Sequence, residues 1–147
     1  MIFNSKDFSK VPNQLEVKLP DKLIHKAVDI QQLNDSNKFS LERQHFVSIV
    51  DLPSKIMSMT IGGLEPRQST RKHRHNYETL IFIVQGVGKS IIENKVVFWE
   101  SGDAIYVPIW AWHQHINLSE IEKCQYVACE NAPLLLNLGE IALREEG

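Results

Sequence analysis

His73-Arg-His75-Asn-Tyr-Glu78-Thr79-Leu-Ile-Phe-Ile-Val-Gln-Gly86 and Gly102-Asp-Ala-Ile-Tyr-Val-Pro108-Ile-Trp110-Ala-Trp112-His113-Gln-His115-Ile-Asn117 share one construction. Each places a His-x-His pair beside a run of strand-forming apolar residues, with a glycine at one end. On a strand, residues two apart point to the same face, so each pair presents two imidazoles to one side of a sheet. One such pair is ordinary surface chemistry; two, on different strands, point to a metal ligand set. Neutral imidazoles suit iron, zinc, nickel and copper, and a carboxylate would add manganese.

Working outward, short strand-like runs continue on both sides. Phe46–Val50 and Ile56–Ile61 precede the first pair, separated by Asp51-Leu-Pro53, with Gly62-Gly63 expected to form a turn. Thr79–Val84, Lys89–Glu93, Val96–Trp99, Ala104–Val107, Trp112–Asn117 and Cys124–Cys129 follow, with turn residues at 85–88, 93–95 and 101–103. Many short strands at close spacing predict an all-β barrel or sandwich. Residues 1–40 read differently. Asp21–Leu33 carries apolar residues at 23, 24, 27, 28, 30 and 33, which predicts one short amphipathic helix with Asp21 as N-cap. The expected division is therefore an N-terminal extension with a short helix over 1–40 and a barrel over 41–147. Ala132–Leu143 is expected to be a helix or turn capping that barrel.

Composition bounds the function classes. The 147 residues are 43% hydrophobic and 23% charged, as in an ordinary globular domain. A net charge of −2 gives no global attraction to nucleic acid or to an anionic membrane. The first residues hold no apolar stretch of signal-peptide length, which predicts a cytoplasmic protein. Cys124 and Cys129, five apart on one strand, should face opposite sides and stay free.

The two quoted stretches resemble the paired motifs of the cupin family, over roughly residues 44 to 130. The resemblance implies a small double-stranded β-helix (a jelly-roll barrel), metal ligands at His73, His75 and His113, and a homodimer. Three positions depart from the family pattern. Arg67 and Trp110 stand where glycines are expected, which should alter the loop backbones and bring an aromatic ring to the barrel mouth. The usual carboxylate position, six residues before Gly86, is Thr79. Glu78 lies one residue earlier, and a shift of one residue sends a side chain to the other face. The expected site is thus three histidines without a protein carboxylate. That set is similar to the gentisate-dioxygenase type, as is the tail Asn131-Ala-Pro-Leu-Leu-Leu-Asn-Leu-Gly139.

The resemblance implies a metal-dependent dioxygenase holding iron(II), with manganese, nickel or zinc as alternatives, and acting on a small hydroxylated aromatic or other organic acid. A lyase or isomerase using the ion as a Lewis acid, or a non-catalytic ligand-binding barrel, are the rival readings. His115 is expected either to serve catalysis as a proton shuttle or to sit hydrated at the barrel mouth. Thr79, Arg67, Trp110 and Trp112 are the expected substrate contacts. Arg71, Lys72 and Arg74 add positive charge near the first pair, without the interleaved aromatics of a nucleic-acid groove.

Overall fold

The computed structural model describes residues 17–28, 39–40 and 45–147. Eleven antiparallel strands among them build two facing sheets. One sheet has the order β1-β2-β3-β10-β5-β8, from Phe39–Ser40 (β1), His45–Val50 (β2), Ser58–Leu64 (β3), Cys124–Glu130 (β10), Thr79–Gln85 (β5) and Ala104–Val107 (β8). The other has the order β11-β4-β9-β6-β7, from Arg144–Glu146 (β11), His73–His75 (β4), His113–Asn117 (β9), Val87–Ile92 (β6) and Lys95–Glu100 (β7). A short helix, α1 (Ala132–Asn137), follows β10. The fold is the expected all-β jelly roll.

Alternation explains how the barrel closes. Inward residues of β5, Ile81 and Ile83, meet Leu64, Ile105, Val107, Cys124, Tyr126, Ala128 and Trp99 in one apolar core. The inward residues of β4 and β9 are instead polar: His73, His75, His113, His115 and Asn117 are all buried. One part of the interior is therefore a hydrophobic plug, and the rest carries chemistry.

Three expectations need correction. Gly62-Gly63 is no turn but lies inside β3, paired to Tyr126 and Gln125. A Cβ at Gly62 would lie 2.3 Å from the Tyr126 ring, so these small residues make room for a neighbour rather than reversing the chain. Residues 22–25 are not helical, and Leu23 and Ile24 are exposed, so Asp21 caps no helix. The stretch 29–33 of that predicted helix lies outside the described residues. The C-terminal tail does more than cap the barrel, because its last residues add β11 to the edge of β4. Cys124 and Cys129 are free, as expected.

At Arg67 and Trp110 the backbone takes a conformation that favours glycine. Arg67 has φ 61° and Trp110 has φ 62°, so both occupy the left-handed region that glycine adopts at no steric cost. Hydrogen bonds over-determine both positions: Arg67 N donates to Ser119 O and Trp110 N to His75 O. A non-glycine residue there costs about 1–2 kcal/mol. The Arg67 side chain returns little, since its ion pair with Glu120 is exposed. Arg67→Gly should raise the melting temperature by about 1–2 °C, after the added freedom of the unfolded chain is subtracted. A calorimetric scan showing a fall would mean that the Glu120 pair outweighs the strain.

Candidate metal centre

His73 and His113 are paired directly across β4 and β9, and His75 lies two residues from His73 on the same face. Their rings converge, with centroids 4.1 Å apart for His73–His113 and 4.8 Å for His75–His113. One ligand nitrogen from each lies within 4.8 Å of the others, so the three can hold one metal ion.

The tautomers are decided by the backbone. Nδ1 of His73 lies 2.7 Å from Arg71 O, Nδ1 of His75 lies 2.8 Å from Tyr77 O, and Nδ1 of His113 lies 2.8 Å from Ala111 O. A carbonyl oxygen can only accept, so each Nδ1 carries the proton and donates it. Each Nε2 then keeps a bare lone pair, and the rings are fixed in orientation, as metal-binding histidines require. Burial pushes the His73 pKa far below the usual imidazole range and also lowers that of His113, with the Arg144 charge adding to both shifts. Neutral imidazoles need lose no proton to bind an ion. The donor set fits a divalent metal.

His115 belongs to the same wall, 5.5 Å from His113 ring to ring, but its Nε2 is in a different protonation state. Its Nδ1 lies 2.7 Å from Ser90 Oγ, which also accepts the Trp99 indole N–H at 2.9 Å. Ser90 is fully buried, so its own hydroxyl proton goes to His115 Nδ1. That leaves the His115 proton on Nε2: an N–H donor rather than a lone pair. This separates the fourth histidine from the three ligands. Burial pushes its pKa down to about 3, so it is neutral at physiological pH, and the expectation of a hydrated residue at the barrel mouth is corrected.

These histidines open on a cavity of about 450 Å³, also lined by His45, Thr60, Tyr77, Thr79, Tyr126, Glu130 and Arg144. A second cavity of equal volume, against Gly62, Glu122 and Lys123, has no histidine in its wall and lies away from this chemistry. Thr79 Oγ1 sits 3.5 Å from His75 Nε2 and 3.4 Å from Glu130 Oε1. Glu78 turns away, as the register argument requires: its carboxylate accepts the Tyr106 hydroxyl at 2.6 Å on the outer surface. That hydrogen bond raises the Tyr106 pKa.

Other residues singled out from the sequence stand elsewhere. Arg67 is an exposed ion-pair partner. Trp110 and Trp112 hold the Arg74 guanidinium between them at 4.4 and 4.5 Å from their ring centroids, outside the cavity wall. The ring at 110 therefore does not reach into the cavity. Four wall residues escaped the sequence reading. Tyr77 stacks on His75 at 4.1 Å with an interplanar angle of 2°. Its position two residues after His75, where its carbonyl fixes Nδ1, was the available signal. His45 and Glu130 reach the wall through strand pairing across long sequence separations, and Arg144 through β11.

Residues 61–128 match the cupin domain model. A stretch of 54 residues is 39% identical to a 5-aminosalicylate 1,2-dioxygenase of Comamonas sp, covering 37% of this chain and 14% of that protein. A stretch of 71 residues is 32% identical to gentisate 1,2-dioxygenase 1 of Aquipseudomonas alcaligenes, covering 46% of this chain and 20% of the relative. Among solved structures, a salicylate 1,2-dioxygenase from Pseudaminobacter salicylatoxidans superposes with a TM-score of 0.65 at 21% identity, over 81% of this chain and 35% of the other. The chain thus spans only a minor part of the length of these relatives. The domain-model match over residues 61–128, the paired histidine motifs and the two facing antiparallel sheets agree in giving this chain a cupin-type jelly-roll fold.

Proposed function

We propose that the chain is a metal-dependent dioxygenase domain, holding iron(II) and oxidising a small hydroxylated aromatic or other organic acid. The observation that carries this reading is the set of three neutral histidines with bare Nε2 atoms and no protein carboxylate among them. Such a face leaves coordination positions open for substrate and dioxygen. The cavity volume lies within the range of small-molecule sites. The relatives named above, a 5-aminosalicylate and a gentisate 1,2-dioxygenase, support the substrate class.

Iron(II) at this site supplies the redox chemistry by which dioxygen reacts with an aromatic acid. The protein's own part is positioning. Arg71, Tyr77 and Ala111 carbonyls keep the three ligands aimed, and Ser90 with Trp99 keeps His115 as a donor toward an oxygen of the bound acid. His115 is therefore the proposed catalytic donor, and Thr79, beside His75, a proposed substrate contact. Arg67, Trp110 and Trp112 are given no such role, because they lie outside the cavity wall. Exposed Leu80, Phe82 and Tyr106 on the outer face of β5 and β8 support a homodimer.

An oxygen-electrode assay of the iron(II)-loaded protein against gentisate, salicylate, catechol and thiol acids is expected to show oxygen uptake with at least one hydroxybenzoate. No uptake across the panel would sink the oxygenase reading. Turnover with zinc under anaerobic conditions would favour the Lewis-acid lyase or isomerase instead.

A further inference from the structure

We propose that Arg144, on the last strand, is the residue that takes the carboxylate of an acid bound beside the three histidines. This rests on the functional reading above and names the group that would select acids within it. β11 pairs with β4 so that Arg144 lies opposite His75 and Glu146 opposite His73. Directly opposed residues in an antiparallel pair share a face, so both side chains point where the ligands point. Glu145, between them, faces outward and holds Arg74 through an ion pair of 2.6 Å.

Every other cation near the histidines is committed elsewhere. Arg67 pairs with Glu120, Arg71 Nε donates to Gly147 O, Lys72 lies over Trp112, and Arg74 is stacked between Trp110 and Trp112. Among the described residues, Arg144 is the one arginine or lysine in the cavity wall. It is also only half used. Nε donates to Glu146 Oε1 at 2.5 Å, while Nη2 is buried without a hydrogen-bond partner, and Glu146 Oε2 is likewise left over. The two side chains therefore do not close the side-on fork that would satisfy both atoms. A buried donor left unpaired is costly, and an incoming carboxylate removes that cost. Glu146 then acts as a positioning residue that holds the guanidinium by one nitrogen. Glu130, the acidic residue of the cavity wall among the described residues, stands beside Thr79.

An acid gripped this way has one end on Arg144 and the adjacent hydroxyl toward the three histidines. That geometry selects ortho-hydroxy acids over diols of the same size. The sequence reading looked for the substrate cation among residues 67–74, whereas β11 brings it in from a position 70 residues beyond Arg74 in the chain.

The test uses the protein loaded with redox-inert zinc, so that binding is read without turnover. Calorimetric titration with salicylate and with catechol compares an acid with a diol. Arg144→Gln is expected to weaken salicylate binding on the order of 10- to 100-fold, the loss of one charge-assisted interaction, with catechol changed less than about twofold. Arg144→Lys should recover part of the loss, because it restores charge without the fork. Unchanged salicylate affinity in Arg144→Gln, equal weakening of both ligands, or no binding of salicylate by the parent would each overturn the proposal. Zinc content and melting temperature are measured alongside. If removing the guanidinium strands the Glu146 charge and unfolds the protein, the paired variant Arg144→Gln, Glu146→Gln carries the comparison. Loss of zinc or fold in that variant too would assign Arg144 a structural role and also overturn the proposal. If iron-dependent oxygen uptake fails while the zinc form still discriminates through Arg144, the oxygenase reading falls and the carboxylate site stands.

Discussion

His113→Ala is expected to abolish stoichiometric metal binding, with the affinity for a divalent ion reduced by at least about 100-fold. Apparent binding free energies of roughly 10–16 kcal/mol shared over four ligands in small zinc domains put each ligand at several kcal/mol, enough for such a loss. His113 is the keystone of the three, since its ring lies within 5 Å of both His73 and His75. Alanine would remove one lone pair and leave the Ala111 carbonyl without its buried partner. The informative control is His115→Gln. His115 is as buried as the ligands and only 5.5 Å from His113, yet its Nδ1 is engaged by Ser90 and its proton lies on Nε2. The glutamine variant should therefore keep the metal. Metal analysis after purification decides the matter: equal retention by parent and His113→Ala refutes the ligand assignment, and loss in both variants refutes the distinction between lone-pair and donor histidines.

The largest expected effect on stability comes from Asn117, at the end of the same strand. Its side chain is fully buried, and its Nδ2 donates to the carbonyls of Leu64, Glu65 and Glu122 at 3.2, 3.1 and 2.8 Å. Its Oδ1 accepts the Ser119 N–H at 2.9 Å. One amide thus ties the end of β9 to the end of β3 and to the loop that enters β10. Asn117→Ala leaves several buried backbone groups without partners, at about 3–5 kcal/mol in total. The corresponding fall in melting temperature is about 6–15 °C. Asn117→Asp keeps the shape but turns donors toward carbonyl oxygens into acceptors, so it should be at least as damaging near neutral pH. If the aspartate variant melted close to the parent, packing rather than hydrogen bonding would be the reason for Asn117.

Much of the barrel was legible because its period is short. Alternation along Thr79–Gln85 and Cys124–Glu130 appears in the burial patterns, and a pair of histidines two residues apart on a strand must share a face. The same rule separated Thr79 from Glu78 without coordinates. It failed at Gly62-Gly63, because a glycine pair reads the same whether it reverses the chain or yields space to Tyr126. At Arg67 and Trp110 residue type alone does not reveal the left-handed backbone. The hydrogen bonds from Arg67 N to Ser119 O and from Trp110 N to His75 O hold the left-handed conformation in spite of the side chain.

Local pattern alone gave an all-β barrel or sandwich and two histidine pairs, each on one strand face. The resemblance of the motifs then implied the jelly roll, the three candidate ligands and the outward turn of Glu78. What surrounds the ligands came from folding. Pairing of β11 with β4 carries Arg144 to the cavity, pairing of β10 with β5 sets Glu130 beside Thr79, and pairing of β6 with β9 puts Ser90 under His115. Those contacts join residues 25 to 69 positions apart, and no periodicity within a single element encodes which strands will meet.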